Sequence, residues 1–181
     1  GTYLSQDIRT KEIPTDHVAF VAAEKKVQDT LDKMMNIKGT KSVDHFHKRL
    51  GKIMWDKCGM GRNEKGLTEA ISEIKNLREE FWKDVRIPGT QNELNSELEK
   101  AMRVADFIEL GELMCKDALH RKESCGGHFR EEYQTEDGEA KRDEDNFTYA
   151  AAWEMKSVGE WELHKEDLNY QVVHPTQRSY K

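Results

Sequence analysis

The run NELNSELEKAMRVADFIELGELMCKDALH, from Asn92 to His120, is the longest amphipathic stretch in this chain of 181 residues. Its apolar residues recur every three or four positions, which is the spacing of one face of an α-helix. They are Leu94, Leu98, Ala101, Ala105, Ile108 and Leu113, with further apolar width at Val104, Phe107 and Met114. The spacing predicts one helix over residues 92–120.

Three stripes of the same kind precede this helix. The first is formed by Phe20, Val27, Leu31 and Met34, after a candidate N-cap at Thr15-Asp16. The second is formed by Val43, Phe46, Leu50, Ile53 and Met54, and glycines at 59 and 61 close it. The third is formed by Leu67, Ile71, Ile74, Leu77, Phe81 and Val85, and Pro88-Gly89 closes it. Each stripe predicts one helix.

Helical stripes joined by short loops are typical of antiparallel helices packed at shallow angles. The predicted fold class is therefore all-α, an antiparallel bundle of three to four helices with a mostly irregular C-terminal tail. Residues 1–39 are interpreted as a lead-in segment with one helix, 40–121 as the bundle and 122–181 as an extended polar tail. Within the tail, the stretches FTYAAAWEM and QVVHP are candidates for short extended pieces.

The composition excludes some classes of function. The net charge is −6, so no basic excess favours binding to nucleic acid. No apolar run approaches the roughly 18 residues of a membrane span, so direct membrane insertion is not expected. The three cysteines lack the CxxC spacing and are interpreted as free thiols of a reducing compartment. The first residue is Gly1, which suggests a segment of a longer protein.

The segment HRKESCGGHFREEYQTEDGEAKRDEDNF, residues 120–147, is dense in charged side chains. His120 and His128 lie eight residues apart, which is not the i,i+4 spacing of a helical zinc site. His45 and His47 lie two residues apart, which is also not the spacing of a helical zinc site. No metal site is predicted.

Two further motifs contain residue types that are used in catalysis or in phosphate binding. Cys125 has basic neighbours that lower a thiol pKa, but a catalytic cysteine also needs a base and an oxyanion site. The motif Gly59-Met60-Gly61-Arg62 contains a pair of glycines but does not follow a predicted strand. It is interpreted as a helix stop, with Gly59 in a left-handed position. The alternation of arginine and carboxylate in 120–147 instead favours Arg–carboxylate pairs with a neighbouring surface.

The same segment resembles the C-terminal signature of succinate dehydrogenase and fumarate reductase flavoprotein subunits. In that family the pattern is Arg-x-Glu-Ser-Arg-Gly-x-His-x-Arg, followed by Arg-Asp-Asp and an aromatic residue. Cys125 stands where most members have arginine. The stretches MGRNEKGLTEAISEIKNLREEFW and HPTQRSYK add to the resemblance, which covers about residues 40–181. The matching positions are Arg121, Glu123, Ser124, Gly126, His128, Arg130, Arg142, Asp143 and Phe147.

The resemblance implies a C-terminal helical domain similar to a spectrin-like bundle. The full-length subunit would interconvert succinate and fumarate with covalent FAD and pass electrons through an iron–sulfur subunit and a membrane anchor to quinone. It would lie at the cytoplasmic face of a bacterial inner membrane. The family's catalytic and flavin-binding motifs do not occur in this chain, so it is expected to carry no catalytic, cofactor or metal residues and to be inactive alone.

The polar tail would then dock on the FAD-binding and capping domains of the same subunit. Its side chains would face water in the isolated chain. The predicted docking residues are Arg121, Glu123, Ser124, His128, Arg130, Arg142 and Asp143. An alternative interpretation is a free-standing helical protein-interaction module of spectrin-like type, for which such a signature has no use.

Overall fold

The computed structural model describes residues 14–173 and 176. Three helices form the bundle and a fourth precedes them. In chain order the helices are α1 (Val18–Asn36), α2 (Val43–Lys57), α3 (Glu64–Asp84), α4 (Ser96–His120) and the single turn α5 (Glu144–Phe147). The strands are β1 (Lys41–Ser42), β2 (Val85–Arg86), β3 (Tyr149–Ser157) and β4 (Glu160–Asp167). The chain is helix-rich as predicted, but the all-α class is not confirmed because two small sheets are present.

Side-chain caps fix where the bundle helices begin. Ser42, Asn63 and Asn95 each accept a hydrogen bond from the N–H three residues on, at 3.3, 2.8 and 3.0 Å. Such caps satisfy N–H groups that have no partner within the helix. The predicted cap of α1 at Thr15-Asp16 was wrong, because the helix begins at Val18 and His17 Nδ1 accepts from the N–H of Ala19 at 3.2 Å.

The second, third and fourth stripes meet in one core. At its centre the rings of Phe46 and Phe81 pack edge to face, 5.3 Å apart, and both side chains are fully buried. Leu94 was wrongly assigned to the fourth stripe, since it lies before the Asn95 cap and is fully exposed. The other buried members of this core are Met34, Val43, Leu50, Cys58, Leu67, Ala70, Ile74, Leu77, Val85, Ile87, Leu98, Ala101, Val104, Ile108, Cys115 and Ala118.

Helix α1 differs from the bundle helices, because Met34 near its end is its only fully buried residue. Its apolar residues Val18, Phe20, Val21 and Val27 are each at least half exposed. The periodicity correctly predicted the helix, but most of its apolar face has no cover among residues 14–173 and 176.

The short parallel pair β1–β2 closes one end of the bundle, with Lys41 opposite Val85. A Cβ atom at Gly39 would lie 2.0 Å from the backbone C and O of Asp84. Only glycine allows this approach, so Gly39 lets the backbone after α1 pack directly against the backbone at the end of α3.

The second sheet is an antiparallel hairpin of β3 and β4 on the side of α4. The predicted irregular tail was therefore wrong here. Within FTYAAAWEM, residues 149–155 are extended as expected, whereas Phe147 ends the helical turn α5. Trp153 Nε1 donates to Asp117 Oδ1 at 2.8 Å, and Lys116 Nζ donates to the carbonyl of Gly159 at 2.5 Å. In the stretch QVVHP, residues 171–173 form no strand, and His174 and Pro175 lie outside the described residues.

No helix in the described part of the chain is both long and apolar enough to cross a bilayer. This agrees with the charged, amphipathic character of the stripes.

Candidate functional site: a polar clasp at the end of the bundle

The family-signature segment folds back on the end of the bundle instead of extending into solvent. Its first turn is closed by two backbone hydrogen bonds between Cys125 and His128, at 2.8 and 3.0 Å. Gly126 supplies the positive φ of +58° that this turn requires. The turn directs the following residues toward the start of α3 and the end of α4. We call the group Arg62, Ser124, His128, Arg130 and Glu132 the polar clasp.

Arg130 is the centre of the polar clasp, and its side chain is only 1% exposed. Its Nη1 donates to the carbonyls of Ala118 and Leu119, at 2.7 and 3.2 Å. These are carbonyls of the last turn of α4, which have no partner within the helix. The guanidinium also places positive charge at the negative end of the helix dipole. Arg130 therefore caps α4 from a distance in sequence.

Ser124 holds the backbone of Arg130 in place. The Ser124 hydroxyl accepts from the N–H of Arg130 at 2.8 Å and donates to its carbonyl at 3.2 Å. The Ser124 N–H donates to the carbonyl of Lys141 at 2.8 Å. Ser124 is fully buried, so these bonds satisfy polar groups that water cannot reach.

Glu132 connects the capped end of α4 to the start of α3. Its Oε2 accepts from Arg130 Nε at 3.1 Å, and its Oε1 accepts from the N–H of Glu64 at 2.5 Å. Burial acts to raise the pKa of this carboxyl. Hydrogen bonds from the Glu64 N–H and from Arg130 outweigh burial and hold the pKa below its usual value. The carboxylate therefore stays ionised between a helix N-terminus and a guanidinium.

The loop between α2 and α3 forms the opposite wall of the polar clasp. The N–H of Arg62 donates to the carbonyl of Phe129 at 3.0 Å, and the N–H of Glu131 donates to the carbonyl of Arg62 at 2.8 Å. These bonds pair the loop with the signature segment like neighbouring strands. The motif that begins at Gly59 therefore ends helix α2 and also binds the signature segment through the backbone of Arg62.

The interpretation of Gly59-Met60-Gly61-Arg62 as a helix stop is confirmed, since α2 ends at Lys57 and α3 begins at Glu64. The left-handed position of Gly59 was wrong, because its φ is not among the positive values. Glycine is required there by space, since a Cβ would lie 2.6 Å from the carbonyl oxygen of Trp55.

His128 is held as a neutral imidazole by its two partners. Its Nε2 lies 2.9 Å from the carbonyl of Arg121, which can only accept, so Nε2 carries the proton. Its Nδ1 lies 3.0 Å from Arg62 Nη1, which can only donate, so Nδ1 carries none. Burial lowers the pKa of His128, in keeping with this tautomer. Both nitrogens are occupied, so this side chain is not available as a base.

The neutral His128 makes the stability of the chain dependent on pH. Its folded pKa lies below the unfolded value of about 6.5, so in this window the unfolded state binds more protons and stability falls as pH decreases. We expect urea unfolding of the wild type to show a lower free energy of unfolding at about pH 5.5 than at about pH 7.5. Carboxylates with lowered pKa values lose their contribution only near pH 4. In His128→Gln the decrease in the free energy of unfolding between these two pH values should be smaller.

His120→Gln is a second test, because burial also lowers the pKa of His120, which lies outside the polar clasp. We expect this variant to reduce the pH dependence as well. If both variants retained the full wild-type pH dependence, neutral histidines would not be its source.

The remaining signature residues form a second set of contacts beside the polar clasp. Glu123 is 3% exposed and accepts from Arg121 Nε at 2.8 Å and from the N–H of Asp143 at 2.9 Å. Asp143 caps α5 through the N–H of Asn146, at 3.2 Å. Arg142 forms an ion pair with Glu144 at 2.7 Å. The two parts of the signature are thus joined through Glu123.

The structure brings the seven predicted docking residues into one region, but not all of them face water. Glu123, Ser124 and Arg130 are buried within this chain, whereas the side chains of Arg121 and Arg142 are 37% and 31% exposed. Sequence reasoning missed Arg62 and Glu132. Nothing in the sequence distinguishes Glu132 from the other carboxylates of the segment, and no local signal pairs Arg62 with a residue 66 positions later.

One group of side chains within the described residues has a geometry suited to a metal ion. Glu154, Glu162 and His164 on the outer face of the hairpin place one ligand atom each within 4.8 Å of one another. Lys156 Nζ lies 2.7 and 2.8 Å from the two carboxylates and forms an ion pair with each. The exposed group is accounted for by these ion pairs and gives no support for a metal.

Comparisons with known proteins agree with the signature. Residues 47–180 match the family model described as "Fumarate reductase flavoprotein C-term". A fumarate reductase flavoprotein subunit of Proteus vulgaris is 28% identical over 92% of this chain and 27% of its own length. An uncharacterized FAD-dependent oxidoreductase of Methanocaldococcus jannaschii is 30% identical over 62% of this chain and 20% of its own length.

The fold is also found in solved structures. A chain of Escherichia coli quinol fumarate reductase superposes with a TM-score of 0.81, covering 97% of this chain and 29% of its own length at 23% identity. This chain thus spans less than a third of the relatives that it matches. The family match extends over most of the bundle and the whole clasp segment. The chain therefore belongs to the family of C-terminal domains of fumarate reductase and succinate dehydrogenase flavoprotein subunits.

Proposed function

We propose that this chain is the helical C-terminal domain of a subunit that interconverts succinate and fumarate, and that it is not catalytic alone. The observation that carries the proposal is the polar clasp. The arginine, serine and histidine of the signature are occupied by caps and hydrogen bonds inside this chain. Signature residues used in this way stabilise a domain, and the reacting groups would be supplied by the rest of the subunit.

In the full-length subunit, the FAD-binding and capping domains would hold covalent FAD. Electrons would pass to an iron–sulfur subunit and, through a membrane anchor, to quinone at the cytoplasmic face of a bacterial inner membrane. The names of the relatives support this assignment, since they include fumarate reductase flavoprotein subunits and a quinol fumarate reductase.

Two surfaces of the chain are suited to dock on the preceding domains. The first is the exposed part of the apolar stripe of α1, Phe20 and Val27, since uncovered apolar side chains on one face of a helix favour a packing partner.

The second surface is a cleft of about 150 Å³ beside the polar clasp, where Arg121, Arg142 and Asp143 lie with Tyr149 and Leu168. Arg142 Nε has no hydrogen-bond partner among residues 14–173 and 176. Such a donor favours an additional acceptor. We propose the docking role of the signature for Arg121, Arg142 and Asp143, which line the cleft and are partly exposed. The buried members, and His128 through its two internal partners, hold the tail.

The proposal is tested by a visible absorption spectrum of the purified chain and by succinate-driven dye reduction on the same sample. We expect no flavin band and no turnover, because the groups that would hold flavin and substrate lie in the preceding domains. A flavin band that survives denaturing precipitation, or turnover by the chain alone, would contradict the proposal.

The second part of this test uses the full-length subunit. There, Arg142→Ala should reduce the flavin content of the purified subunit and change the KM for succinate by less than about twofold. Arg103→Ala is the matched control, since its side chain is 67% exposed on α4 and pairs only with Glu99 in the described chain. Normal flavin content in Arg142→Ala would exclude the cleft as a docking surface.

A further inference from the structure

Helices α2 and α4 approach each other closely at Gly111. A Cβ atom there would lie 3.3 Å from both Leu50 Cδ1 and Met54 Sδ. One turn further along each helix stand Cys58 and Cys115. The close approach at Gly111 therefore brings two cysteines that are distant in sequence to the same point of the interface.

The two thiols are neighbours in the core, and Met54 lies between them. The Cys115 thiol donates to Met54 Sδ at 3.8 Å, and the N–H of Cys58 donates to the carbonyl of Met54 at 2.9 Å. Cys115 is fully buried, whereas Cys58 is 5% exposed at the C-cap of α2. It adjoins the loop that contains Met60, which is 92% exposed.

The pair is electrostatically unequal. The neighbouring Cys115 thiol lowers the pKa of Cys58 to about 7 against the effect of burial, and the charge of Arg62 adds to the lowering. The neighbouring Cys58 and burial raise the pKa of Cys115. Cys58 is therefore the more readily ionised thiol of the pair.

We propose that Cys58 and Cys115 are a modification site, a dithiol that a hydroperoxide oxidises to a disulfide between the end of α2 and α4. The Cys58 thiolate attacks the terminal peroxide oxygen, and the O–O bond breaks. This gives the sulfenic acid of Cys58 and an alkoxide, which takes a proton from water to become the alcohol. The sulfur of Cys115 then attacks that of Cys58, forming the S–S bond as the S–O bond breaks. The departing hydroxide takes the Cys115 proton and leaves as water.

The structure gives the disulfide a defined consequence. Arg62, whose charge acts on the two thiols, also donates to His128 and pairs with the signature segment. The crosslink would fix the start of the loop that carries Arg62. Because it would close a long loop in the unfolded chain, the oxidised protein should unfold at a Tm higher by about 5 °C or more. This inference is independent of the proposed enzymatic role.

The test exposes the purified chain to hydrogen peroxide, followed by thiol titration in denaturant and mass spectrometry of non-reduced peptides. We expect two of the three thiols to be lost and a Cys58–Cys115 peptide to appear. The rate should rise with pH around a midpoint near 7.

The variants Cys58→Ser and Cys115→Ser should give no intramolecular crosslink. Cys125→Ser, which removes the partly exposed thiol on the clasp turn, should retain it. Circular dichroism confirms that each variant is folded, and Cys115→Ala replaces Cys115→Ser if the hydroxyl disrupts the core. Retention of all three thiols would overturn the proposal. So would a crosslink through Cys125, or a sulfinic acid on Cys58 with Cys115 unmodified.

Discussion

Replacement of Arg130 by alanine should lower the free energy of unfolding of the isolated chain by about 3–5 kcal/mol. Arg130 is 1% exposed, so its loss would leave a cavity and remove the donors to Ala118 and Leu119. Buried carbonyls without donors each cost about 1–3 kcal/mol. Glu132 would also lose its cation while still bonded to the N–H of Glu64. Urea unfolding followed by circular dichroism measures the change.

Arg142→Ala is the matched control within the same signature. The Arg142 side chain is 31% exposed and its ion pair with Glu144 lies near the surface, so its loss should cost no more than about 1 kcal/mol. Equal losses in the two variants would mean that the polar clasp does not depend on the guanidinium of Arg130. A changed urea m-value in Arg130→Ala would point instead to loss of two-state unfolding.

The contrast between these two arginines shows what the sequence can reveal about the site. The resemblance to the family signature identified the segment 120–147, and its alternating charges indicated that its residues form ion pairs. Arg121, Arg130 and Arg142 are chemically equivalent in the sequence, and each has carboxylates nearby. Only the path of the chain around Gly126 decides which of them is buried against the end of α4.

The hairpin was missed for a different physical reason. Three consecutive alanines, 150–152, give β3 no polar–apolar alternation, and alanine is also the best helix former. The bulky side chains that fix the sheet, Tyr149 and Trp153, contact His120 and Asp117 at the end of α4. These contacts join distant parts of the chain, so a pattern search within a short window does not reveal them.

Helix α1 shows a further limit of periodicity. Its apolar stripe has the same spacing as those of the bundle, so the sequence correctly predicted the helix. The spacing shows which face is apolar but not what covers it. In the described chain only the end near Met34 is covered, and we propose that preceding domains cover the rest.

The core, in contrast, follows directly from the stripes, and Phe81 is its most informative position. We expect Phe81→Ala to lower the free energy of unfolding by about 3–5 kcal/mol, because it removes a fully buried ring and leaves a cavity. The ring also packs edge to face on Phe46 and Trp82, with centroids 5.3 and 5.4 Å away. Such aromatic pairs contribute about 0.5–1.5 kcal/mol beyond burial.

Phe107→Ala is the control for Phe81→Ala, since it deletes the same ring from a side chain that is 42% exposed on α4. Its contact with His47 is tilted, with ring centroids 5.9 Å apart, and much of its surface remains in water in the folded state. The expected loss is about 1 kcal/mol, because only part of the transfer free energy is removed and no enclosed cavity forms. Equal losses for the two variants would show that the third stripe does not form the centre of the core. A loss confined to Phe81→Ala would show that burial of this stripe, rather than aromatic content alone, stabilises the bundle to which the polar clasp is attached.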